Sequence, residues 1–163
     1  MKNLIFICFL AISSSLFSQN GNGFTVAVTG SDWAPIILEQ DITKAGDDYN
    51  LDYNSISKQT TITITSTFQN KQFIVSIYKE DNTPSWPSGL DLQITQTYSS
   101  NLTTASPPPP PQSIPDYSGP LLSFSIEGSK TNQMSFEYKI RGISVLLPVA
   151  LYTTTIFFTV TMM

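Results

Sequence analysis

The stretch Leu90-Asp91-Leu92-Gln93-Ile94-Thr95-Gln96-Thr97-Tyr98 decides the fold class. Leu90, Leu92, Ile94 and Tyr98 fall on one side of an extended chain, with Gln96 the one polar member of that side, while Asp91, Gln93, Thr95 and Thr97 fall on the other. Successive side chains of a strand point to opposite faces, so this pattern is a half-buried strand with one face on a core. Gln96 brings its far end towards solvent.

The same period of two recurs on both sides of this stretch. Phe24, Val26 and Val28 alternate with Thr25, Ala27 and Thr29; Ile62 and Ile64 sit among threonines; Phe73, Val75 and Ile77 alternate with Ile74, Ser76 and Tyr78. Residues 121–126, 134–140 and 152–163 complete the set, and residues 33–39 and 48–56 give weaker strand patterns. Gly30-Ser31-Asp32, Gln69-Asn70-Lys71, residues 84–89, Glu127-Gly128-Ser129 and Arg141-Gly142 supply turns between them. No segment carries a convincing apolar period of 3.6. The pattern predicts an all-β protein, an antiparallel β-sandwich of about seven to nine strands. Residues 101–119 differ in kind: the run Pro107 to Pro111 predicts an extended polyproline excursion, either a stiff surface loop or a contact for a proline-binding groove.

Of the 163 residues, 40% are apolar and only 12% charged, which gives a folded chain with a neutral polar surface. Histidine is absent and the single cysteine is Cys8. A thiol or imidazole mechanism and a Cys/His zinc site are thereby excluded from everything after residue 8.

Residues 1–18 read as a secretory signal peptide. Met1 and Lys2 give a positive start, the apolar core is broken at Ser13, Ser14 and Ser15, and Ser13, Ser15 and Ser18 offer small residues for cleavage. That core is shorter than the roughly 20 residues that span a bilayer, so no membrane span is expected in the mature chain. Residues 19–163 are expected to form a single domain, secreted or held at the cell surface or in the periplasm. The ending Leu16-Phe17-Ser18-Gln19 resembles leaders of Gram-negative bacteria. Without Lys2 the chain carries seven basic residues against twelve acids and no basic cluster, which argues against nucleic acid and anionic lipid as partners.

No catalytic, cofactor or metal site is assigned. Asp48-Tyr49-Asn50-Leu51-Asp52 matches the first half of a calcium loop, but Tyr53 stands where the loop needs Gly and Gln59 where it needs Glu. A looser cation site at Asp47, Asp48 and Asp52 competes with a solvated turn. Ser57-Lys58 and Ser129-Lys130 are sequence neighbours that a strand would point apart, so neither makes a Ser-Lys dyad. Trp86, between Ser85 and Pro87, is expected either to stack on a ligand such as a glycan or to plug the end of the sandwich; Tyr98 is its companion candidate for ligand contact.

The final segment, residues 148–163, resembles the last strand of spore coat protein U-like and chaperone-usher pilin-like domains. The matching positions are Ala150, where that pattern usually has Gly, then Tyr152, Thr153, Thr155, Ile156, Thr159, Val160 and Thr161. About one-tenth of the chain is covered. The resemblance implies an immunoglobulin-like sandwich that exchanges strands between subunits, with a periplasmic chaperone and an outer-membrane usher as partners. Phe24, Val26 and Val28 on a donated N-terminal strand, and Tyr152, Ile156, Phe158 and Val160 on the last strand, are the expected assembly residues. The disulfide common in such pilins is missing. The expected function is a noncatalytic structural or adhesive surface subunit, such as a fimbrium component in cell adhesion; the alternative is a monomeric carbohydrate- or ligand-binding module that keeps both end strands at home.

Overall fold

The computed structural model describes residues 9–11, 23–35, 52–67, 71–82, 86–100, 110–126, 130–144 and 152–163. Its strands are β1 (Phe9–Ala11), β2 (Phe24–Gly30), β3 (Tyr53–Asn54), β4 (Thr60–Ser66), β5 (Lys71–Asp81), β6 (Asp91–Ser100), β7 (Gln112–Ser113), β8 (Gly119–Ile126), β9 (Lys130–Arg141) and β10 (Thr153–Met162). No helix occurs among the described residues. The fold is all-β; β2 to β10 pair with one another only in antiparallel fashion, and β1 pairs with β10 in parallel.

One sheet has the order β2-β4-β9-β6-β7, with β3 also on β9; the other has the order β1-β10-β5-β8. β3 and β4 share one side of β9, Tyr53 opposite Ile140 and Thr60 opposite Phe136. Between them the chain loops out, and Lys58 takes a left-handed φ of 68°. The Ser55 hydroxyl bridges the interruption, accepting from the Tyr138 N–H at 2.8 Å and donating to the Ile56 carbonyl at 3.1 Å.

The alternation explains the core. Ile62 and Ile64 of β4, Met134, Phe136, Tyr138 and Ile140 of β9 and Leu92 and Ile94 of β6 face Phe73, Val75 and Ile77 of β5, Phe124 of β8 and Ile156 of β10. Phe136 stacks on Phe158 with centroids 5.7 Å apart, and Phe24 meets Phe73 edge-on at 5.5 Å. Each fully buried side chain of this size contributes roughly 1.5–3 kcal/mol. The Tyr138 hydroxyl, inside this core, donates to Thr60 Oγ1 at 2.8 Å, which keeps a buried polar pair satisfied. β5 meets β2 through Phe73 but, six residues on, Lys79 lies against Trp86 just before β6.

Four expectations are revised over the described residues. The excursion of residues 101–119 ends early: Gln112 and Ser113 pair with Ile94 and Gln93, Ile114 is buried in the core, and β8 begins at Gly119. Residues 101–109 lie outside the described residues. Of the strand expected over residues 48–56, residues 52–56 are described and hold β3, and of that over residues 33–39, residues 33–35 are described and hold one bridge at Trp33; residues 48–51 and 36–39 lie outside the described residues. In β6 a bulge between Gln96 and Tyr98 shifts the register, so Gln96 lies opposite the inward Phe136 but Tyr98 lies opposite Ser135. An extra residue reverses the facing of everything after it. Tyr98 consequently points outward, not onto the core.

Candidate functional site

The outer edge of β10 is the most distinctive feature. The Asn82 N–H donates to the Thr153 carbonyl and the Met163 N–H to the Gln72 carbonyl, so the odd-numbered residues of β10 bond to β5. In an antiparallel ladder the alternate residues turn the other way. Thr154, Ile156, Phe158, Val160 and Met162 thus aim their N–H and C=O groups at the far side. There, among the described residues, β1 runs parallel and pairs with Thr153, Thr154 and Thr155.

Natural sheets blunt such edges with charge, proline or bulges. β8 carries Pro120 and faces an irregularity between Val75 and Ser76, while β6 is covered by β7 at Gln93 and Ile94 and bulged beyond. β10, Thr-Thr-Thr-Ile-Phe-Phe-Thr-Val-Thr-Met, has neither charge nor proline, which it shares with the shorter β2 at the end of the larger sheet. Its Thr, Ile, Phe and Val side chains favour extended pairing.

The expected assembly residues all face the core of their own chain. Ile156 and Tyr152 are buried, and Phe158, Val160, Phe24, Val26 and Val28 pack partly buried against the core. β2 pairs with β4 along its whole length, Phe24 opposite Ser66 and Gly30 opposite Thr60. The N-terminal strand is at home in this structure.

Trp86 lies on the segment that leads into β6. Its ring packs against the core and its Nε1–H donates to the Leu90 carbonyl at 3.0 Å. Lys79, the last inward residue of β5, lies 5.8 Å from the ring centroid and is only 8% exposed. Its Nζ donates to both Asp81 oxygens at 3.0 and 2.8 Å and pairs with Asp116. Burial pulls the ammonium towards its neutral form, but the bonds from Asp116 and Asp81 outweigh it and hold the pKa above the lysine value. The Lys79 N–H also donates to the Pro115 carbonyl, so this cluster fastens the segment after the prolines onto β5.

Tyr98 sits elsewhere. Lys58 Nζ lies 4.8 Å above its ring on the outer face of the larger sheet. Leu90 and Tyr98 are eight residues apart, roughly 25 Å along an extended strand, so Trp86 and Tyr98 do not form one platform. Asp52 accepts from Lys139 Nζ and Arg141 Nε, each at 3.2 Å. The Lys139 hydrogen bond is the main cause of its lowered pKa. Asp47 and Asp48 lie outside the described residues.

Tyr78 and Phe157 did not stand out from the sequence as a pair. They are cross-strand partners on the outer face of the smaller sheet, with rings stacked at 4.8 Å and planes 11° apart. The signal was present: each is an aromatic at the position of its alternation that the core does not claim. Compared with known proteins, the chain matches no family model, no curated protein and no solved structure.

Proposed function

We propose that the chain is an exported, noncatalytic structural or adhesive surface subunit that assembles by strand addition, with β10 as the accepting strand. The edge of β10 carries this reading. Removal of residues 1–18 takes away Phe9–Ala11, its short cover, and leaves ten uncharged residues with one side of the backbone open among the described residues. Strand addition needs such an edge. The lack of histidine, and of cysteine beyond Cys8, supports the noncatalytic part of the reading.

The architecture proposed is immunoglobulin-like in its layers. Lettering β2, β4, β5, β6, β8, β9 and β10 as A to G gives sheets ordered A-B-F-D and G-C-E, where the immunoglobulin arrangement is A-B-E-D and C-F-G. The likeness is of layers and not of strand order. A periplasmic chaperone shielding the edge and an outer-membrane usher would be natural partners of such a subunit.

A second reading, a monomeric ligand-binding module, draws on one observation: β2 completes its own sheet. Light scattering and electron microscopy of the exported protein, its N-terminus fixed by mass, test the first reading. Concentration-dependent oligomers are expected. A concentration-independent monomer would replace it with the second, for which a glycan array is the next measurement.

A further inference from the structure

We infer that the strand received by the β10 edge is β10 of a second copy, laid antiparallel about a two-fold axis at Phe158; this deepens the assembly reading and rests on it. The edge-directed residues Thr154, Ile156, Phe158, Val160 and Met162 are spaced evenly about Phe158. With Phe158 opposite its counterpart, Thr154 pairs with Met162 of the second copy and Ile156 with Val160 of the second copy. Every edge-directed N–H and C=O then has a partner, and none is left over.

Charge points the same way. A two-fold contact sets a strand against itself, so a charge near the axis would meet its own sign at a neighbouring position. β10 has none, whereas β5 beside it carries Lys71, Lys79, Glu80 and Asp81. A donor strand of different sequence would place no such demand on the acceptor.

The outer face supplies the third observation. Tyr78 covers the face of Phe157 that looks towards β5, so the opposite ring face looks towards the open edge. In the two-fold register Thr159 of the second copy lies across from Phe157 and can rest its methyl group there. Thr155 lies across from Thr161, a pairing that favours strand contact. A strand edge buries less area than a standard protein interface, so the pairing is expected to be concentration-dependent.

Thr159 is exposed and points away from the core, which makes it a position that can be changed without disturbing the fold. In this register the two copies of residue 159 are diagonal neighbours, about 7–8 Å apart. Thr159→Lys and Thr159→Glu should each raise the dissociation constant roughly fivefold or more in sedimentation equilibrium, and an equimolar mixture should recover pairing. Circular dichroism verifies that each variant keeps its sheet. Recovery by mixing supports the two-fold contact. Oligomers unaffected by either charge, or weakened by both and not recovered by mixing, would overturn self-pairing and leave strand addition by another segment standing. A wild-type monomer at every concentration would overturn both.

Discussion

Tyr78 and Phe157 stack across β5 and β10 with centroids 4.8 Å apart and planes 11° apart, on the face of the smaller sheet that the core does not use. Half-buried aromatic pairs of this geometry add about 0.5–1.5 kcal/mol beyond their burial. A double-mutant cycle of Tyr78→Ala and Phe157→Ala by urea unfolding should return a coupling of that size. Strict additivity would mean that the rings are neighbours without mutual stabilisation.

Two groups on different strands make the fold sensitive to alkali in the same direction. Burial raises the Tyr138 phenol above its ordinary 10.0, with the Thr60 bond opposing only in part. The carboxylates of Asp116 and Asp81 keep Lys79 above 10.5 against the effect of burial. In both cases the folded chain holds its proton more tightly than the unfolded chain. Their contribution is therefore complete below about pH 10 and declines as pH rises through the folded values. Urea midpoints between about pH 9 and about pH 11 should fall for the wild type, less for Lys79→Met or Tyr138→Phe, and least for the double variant. A pH slope unchanged by both substitutions would dissociate these groups from alkaline unfolding.

Strand existence was legible because a buried face imposes a period of two on local sequence, as in Leu90 to Ile94 and Phe73 to Ile77. What was not legible came from outside the local window. Tyr98 left the core face because one bulge, set by pairing with β9, reversed the alternation after Gln96. Ile114 entered the core although prolines dominate its neighbourhood, since its burial depends on the Leu92 carbonyl that its N–H finds. That β10 has only the short β1 beyond it among the described residues follows from strand order, which no single strand encodes. The composition of β10, neutral and free of proline, was readable from the start and became informative only once β10 proved to lie between β5 and the three residues of β1.

Gly142 is required by its surroundings. Its φ is +78°, and a Cβ there would lie 1.9 Å from the Gly89 carbonyl oxygen. Gly142→Ala combines a left-handed conformation costing about 1–2 kcal/mol with overpacking of about 1–3 kcal/mol, so a loss of roughly 2–5 kcal/mol is expected. Gly89→Ala is the control, because a Cβ there meets nothing within 4 Å and should change stability by less than about 0.5 kcal/mol. Equal losses at both positions in urea unfolding would refute the steric account.

The alternation along β10 makes proline a probe of which side of the strand does what. Thr161 lies in register with Ile74 and, like Met163, turns its N–H towards β5. Thr161→Pro removes that donor and leaves a β5 carbonyl without its partner, a cost of roughly 1–3 kcal/mol to the isolated subunit. Val160 turns its N–H to the open edge, so Val160→Pro breaks no bond to β5 and costs the subunit only the fit of a half-buried side chain. It does place a pyrrolidine ring where an incoming strand must lie, and edge strands tolerate proline for this reason. The expected result is a crossed pattern: Thr161→Pro lowers the urea midpoint, whereas Val160→Pro leaves the midpoint near wild type and abolishes oligomers in light scattering. If Val160→Pro folds and still assembles like the wild type, the contact between subunits lies elsewhere, and β2, an edge strand that also has neither charge nor proline, becomes the strand to test.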